Sequence, residues 1–164
     1  MAYTAAAWRD FAVTTGGLAG ALTGLLFVAV SLHSGALARS RPLASRAAQT
    51  LVLFLTPAIS AVVLAAPLPS TALGAVLLVV SAVSGSALLW LDRRAGHDLS
   101  AAGRAARYID RGSPNSVVAV LFAIAGLTFL LKAGGGLYWM IPAVLAGLVA
   151  VAINAWLFLF KIPD

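Results

Sequence analysis

The sequence predicts an all-α fold, a polytopic bundle of about five transmembrane helices with the N-terminus outside and the C-terminus inside. Three observations predict it. Long apolar stretches fill nearly all of the 164 residues, and the basic residues are sorted unevenly between those stretches. In addition, 62% of residues are hydrophobic and 10% charged, against roughly 45–50% and about 25% in soluble domains. A hydrocarbon core of about 30 Å needs about 20 apolar residues per helix, so a single membrane domain over residues 1–164 accounts for the chain. The runs lack the period-two alternation of membrane strands, and a helix satisfies its own backbone groups in lipid.

Taken in order, the segment before the first span holds Trp8 and Phe11 beside Arg9 and Asp10, which predicts a short stretch at the outer interface with Trp8 as its anchor. No basic start, short apolar core and cleavage site precede the first span, Thr14 to Leu32, so it is expected to remain in the mature protein. The second span, Arg46 to Ala66, carries Pro57, whose missing N–H predicts a kink. Pro67 and Pro69 make an uncharged turn into the third span, Thr71 to Leu91. Ser113 and Pro114 read as a cap and first-turn proline opening the fourth, Pro114 to Leu131, which has the shortest clean apolar run. Gly134, Gly135 and Gly136 read as a flexible link to the fifth, Tyr138 to Phe160.

Orientation follows from charge. Arg39, Arg41 and Arg46 lie in the first loop and Arg93, Arg94, Arg104, Arg107 and Arg111 in or beside the basic loop 92–113, whereas the turn between the second and third spans is uncharged. Basic loops stay in the cytoplasm. That places Lys161 inside as well, leaving Arg9 and Lys132 as the outer basic residues. The net charge of +6 therefore reflects topology and contact with anionic lipid headgroups rather than nucleic acid. Arg104, Arg107 and Arg111 share one helical face in an alanine-rich stretch, the expected lipid-headgroup contact. The excess of arginine over lysine and the absence of glutamate suggest a GC-rich bacterial genome, hence the bacterial cytoplasmic (inner) membrane.

Within the spans, Gly16, Gly20 and Gly24 form a small-residue zipper, and Ala143, Gly147, Ala150 and Asn154 a comparable stripe in the fifth span. In lipid such stripes let helix backbones approach closely, so both predict helix packing, within the chain or against another copy. A carboxamide at the depth of Asn154 needs a partner on another helix. Arg46, Gln49, Thr56 and Ser60 align on one face of the second span, with Ser81, Ser84 and Gly85 in the third. Hydroxyls with a basic mouth residue could line a weakly selective or anion-preferring pore, or pack against neighbouring helices.

The chemistry-bearing residues argue against an enzyme. Cysteine is absent, and all five aspartates, Asp10, Asp92, Asp98, Asp110 and Asp164, fall outside the apolar spans. That leaves no intramembrane carboxylate to relay protons. His33 and His97 lack the spacing of a metal site, so neither a metal nor a cofactor is expected.

The run Trp8-Arg9-Asp10-Phe11, then Gly20-Ala21-Leu22-Thr23-Gly24-Leu25-Leu26-Phe27-Val28-Ala29-Val30-Ser31-Leu32, then Pro42, Arg46 and Ala47, and Asn154-Ala155-Trp156 resembles a family of small multi-pass bacterial membrane proteins. Some relatives in that family are labelled modulator of a membrane-bound AAA protease. The resemblance implies a membrane fold and a membrane protein as partner, and brings no catalytic residue. Two functions are therefore expected to compete: a homo-oligomeric channel or pore, and a non-catalytic partner that regulates or scaffolds another membrane protein.

Overall fold

A computed structural model gives the fold and describes residues 3–95 and 114–160. Among them every regular element is helical: α1 (Arg9–Leu32), α2 (Ser34–Arg39), α3 (Arg41–Ala65), α4 (Ser70–Ala95), α5 (Pro114–Leu130) and α6 (Met140–Phe160), with one-turn 3₁₀ helices at Ala5–Trp8 and Gly136–Trp139. Helices within Ala5–Leu32, Ala44–Ala65 and Ser70–Arg94 are long and apolar enough to cross a membrane. At 17 residues, α5 is about 25 Å long, near the lower limit for a span. The bundle's outer surface is itself apolar: Val13, Leu25, Val28, Val62, Val79, Val83 and Leu145 are all exposed. A surface of that kind suits lipid rather than water.

The helices extend past the apolar runs, since hydropathy stops at the first charge whereas backbone hydrogen bonding does not. Thus α1 begins at Arg9 and α4 reaches Ala95. The first loop is largely helical, because α2 fills it and Ser40, in extended backbone, makes the break before α3. Pro42 near the start of α3 costs no hydrogen bond, and α3 then runs unbroken through Pro57. It ends where Ala66 turns extended, the backbone favoured before a proline.

Successive long helices pack antiparallel. α1 lies along α3, which also meets α4, α5 and α6, while α5 lies between α4 and α6. Leu53, Leu73, Val118, Phe129, Leu137 and Met140 are fully buried at the centre.

The segment before α1 is part of this core, packing that the sequence did not reveal. Trp8 is buried, edge-on to Phe11 and to Tyr138 with ring centroids 5.4 and 5.1 Å away. Its apolar body is more fully desolvated against two rings than at a headgroup boundary. The glycine link is likewise a defined turn. Gly134, Gly135 and Gly136 all have positive φ, Trp139 Nε1 donates to the Gly134 carbonyl at 2.8 Å, and the Gly135 N–H donates to Tyr3 Oη at 3.2 Å.

Candidate functional site

Apart from Thr15 of α1, the buried polar residues belong to one seam along α3, α4 and α5. At the end nearer α2 the Gln49 amide, 4% exposed, donates to Asp92 Oδ1 at 2.5 Å. Asp92 stands in the last turns of α4, half-buried, so a carboxylate that hydropathy places in a loop belongs to the helix contact. Halfway along, Thr56 Oγ1 lies 2.8 Å from both the Val52 carbonyl and Ser84 Oγ. A hydroxyl both donates and accepts, so two protons satisfy all three oxygens. Ser81 then donates to the Ala119 carbonyl of α5 at 2.9 Å. Ser60 is fully buried, and its Oγ has no hydrogen-bond partner among the described residues.

This arrangement decides which way the polar face of α3 points in the single chain. Gln49, Thr56 and Ser60, expected as possible pore lining, are each less than 5% exposed and turn inward. Arg46 is half-buried, and its carbonyl accepts the Thr50 hydroxyl at 3.0 Å. Where α1, α3, α5 and α6 converge, around Ala19, Pro57, Phe122 and Gly147, only about 10 Å³ of space is left. The seam is thus a set of interhelical hydrogen bonds, each worth roughly 1 kcal/mol in membranes.

The small residues divide in an unexpected way. A Cβ on Gly16 would lie 3.2 Å from Ala61 Cβ, so Gly16 borders a tight α1–α3 crossing. At Gly20 and Gly24 it would meet nothing within 4 Å. Of the two packings expected for this stripe, within the chain or against another copy, the single chain uses only the Gly16 end, and helix geometry supplies the reason. The buried line of α1 runs through Ala12, Thr15 and Ala19. At about 100° per residue, Gly20 and Gly24 sit roughly 80° and 120° around the helix from Ala12. In α6, Ala143, Gly147 and Ala150 are all buried, with Gly147 in ordinary contact with Val118. The Asn154 side chain lies outside the described residues, as do Arg104, Arg107 and Arg111.

The tightest small-residue interface is one that stripe spacing does not reveal. A Cβ on Gly126 of α5 would fall 3.0 Å from Leu78 Cγ and 3.1 Å from the Leu78 backbone nitrogen. On Gly74 of α4 it would fall 3.3 Å from Leu130 Cα, and on Gly85 it would fall 3.2 Å from Ala119 Cβ. Gly74, Leu78, Ser81 and Gly85 follow a heptad-like spacing along one face of α4, a signal that could have identified this interface. Comparison with family models, curated proteins and solved structures gives no match for this chain.

Proposed function

We propose that this chain is a non-catalytic assembly subunit of the bacterial cytoplasmic membrane, which binds a transmembrane helix of another membrane protein through the open face of α1. One contrast carries the reading. Gln49, Thr56 and Ser60, which a pore would need, are buried between the chain's own helices, while Gly17, Gly20 and Gly24 face outward between exposed Val13 and Val28. Glycines on a lipid-facing surface allow a partner backbone to approach closely, and such packing is a main source of helix association in lipid. A membrane protease of the kind suggested by the sequence resemblance fits as partner, and so does a second copy of the chain.

The substitution pair Gly20→Leu and Gly24→Leu tests this. In the intact protein it should abolish co-purification of the partner or the homo-oligomer, leaving the subunit's own unfolding temperature in mild detergent within about 2–4 °C of the parent. Retained assembly would refute the α1 interface. Ion flux through reconstituted protein that survives loss of assembly would instead overturn the assembly-subunit role and return the pore reading.

Topology belongs to the same proposal: α1, α3, α4, α5 and α6 each cross once, with the N-terminus outside and the 92–113 loop in the cytoplasm. The antiparallel alternation of these five helices and the sorting of arginines support it. The chain has no cysteine, so single replacements can be labelled cleanly. Leu68→Cys should react with a membrane-impermeant thiol reagent from outside and Ser40→Cys only after the membrane is opened; the reverse pattern would invert the topology.

A further inference from the structure

Near α2, a groove runs between α1 and α3. The two helices cross closely at Gly16 and Ala61, whereas the groove, of about 240 Å³, is lined by carbon from Leu26, Phe27 and Val30 of α1, Leu37 of α2, and Ala44 and Ala48 of α3 among others. The alanines of α3 leave this space where larger side chains would fill it. An empty apolar groove loses dispersion contacts along its walls, so a flexible hydrocarbon is its natural filling.

Charge at the mouth narrows the occupant. Arg41, Ala44, Ala48 and Leu51 fall on one face of α3 at spacings of three and four, which puts Arg41 one turn beyond the groove on the same face. Helical side chains lean towards the N-terminus, so the Arg41 guanidinium is carried away from the apolar lining towards the headgroup level. Arg41 is exposed, and so is Arg39 at the end of α2. Among the described residues neither arginine makes an ion pair, and Asp92, the described carboxylate at that end of the bundle, is engaged by Gln49. Guanidinium groups bind phosphate oxygens with paired donors.

We infer that this groove is a binding site for one anionic phospholipid of the surrounding bilayer, with an acyl chain lying between α1 and α3 and the phosphate held by Arg41 and Arg39. The inference rests on α1 and α3 crossing a bilayer, part of the proposal above, and is independent of the partner helix and of which side faces the cytoplasm. It differs from diffuse attraction of a basic surface because the apolar groove and the two arginines must act on the same molecule.

Native mass spectrometry of the intact protein, extracted in mild detergent and titrated with phosphatidylglycerol or phosphatidylcholine, tests it. The parent protein should bind one phosphatidylglycerol at least about tenfold more tightly than phosphatidylcholine. Arg39→Gln with Arg41→Gln should remove that preference. Ala44→Leu, which fills the groove at an exposed position, should weaken both lipids while leaving the arginines in place. Arg93→Gln with Arg94→Gln, which lowers the charge of the α4 end equally, should leave the preference unchanged. Equal binding of the two lipids by the parent, unaltered binding in the Arg39/Arg41 variant, or an equal loss in the Arg93/Arg94 variant would each overturn the site. Release of the protein from membranes by alkaline wash would remove the membrane reading itself, a failure distinguishable from loss of lipid preference alone.

Discussion

Replacing Gly126 by leucine is expected to be the most damaging single change described for this chain. The new Cβ would sit 3.0–3.1 Å from Leu78 Cγ and the Leu78 backbone nitrogen before the rest of the side chain is placed, and backbone cannot yield as a side-chain tip can. Overpacking typically costs 1–3 kcal/mol. Here the cost should reach or exceed the top of that range, because α4 and α5 must separate and the Ser81 bond to the Ala119 carbonyl breaks with them. The expected result is loss of monodisperse protein in mild detergent, read by size exclusion, with an unfolding temperature far below that of the parent. Gly126→Ala should show the same direction with a smaller effect, and Gly17→Leu, where nothing lies within 4 Å, should leave stability unchanged.

The second large effect is expected at Gln49 and Asp92. Asp92→Ala leaves a buried amide without its acceptor, at a cost of about 1–3 kcal/mol. Asp92→Asn keeps an acceptor oxygen and should lose less. Replacing both residues by leucine removes the need for the bond and should recover much of the stability lost in Asp92→Ala, since exchanging two bonded polar groups for apolar ones can be nearly neutral. Thermal unfolding of the four proteins in one detergent checks this ordering. A double variant as unstable as Asp92→Ala would mean that the bond contributes little, and that the packing around it dominates.

These two contacts also show where sequence reasoning reached its limit. The helices and their order were legible because a bilayer imposes a length and an apolar composition on every span. The alignment of Gln49, Thr56 and Ser60 was equally legible as a face. The direction of that face was not, since a stripe of hydroxyls and amides reads alike whether it meets water or the next helix. Asp92 was hidden by the rule that located the spans, because a charge marks the end of hydropathy and not the end of a helix. Gly20 and Gly24 advertised close packing through their spacing, yet in the single chain they stand open, whereas Gly126, with no companion four residues away, sits at the tightest contact. Spacing identifies surfaces able to pack closely; which of them the fold uses depends on crossing angles set by distant parts of the chain.

The clasp between Tyr3 and Gly135 spans 132 residues of sequence. A ribosome adding roughly 5–20 residues per second takes roughly 7–26 s to cover that distance. For that interval Trp8 and Tyr3 have no Tyr138, Phe129 or Gly135 to dock against, although α1 has already been synthesised. The end of the bundle that holds Tyr3 and Trp8 therefore closes only once the segment from Gly134 to Tyr138 has been made, so its packing waits on the later helices although α1 is already complete.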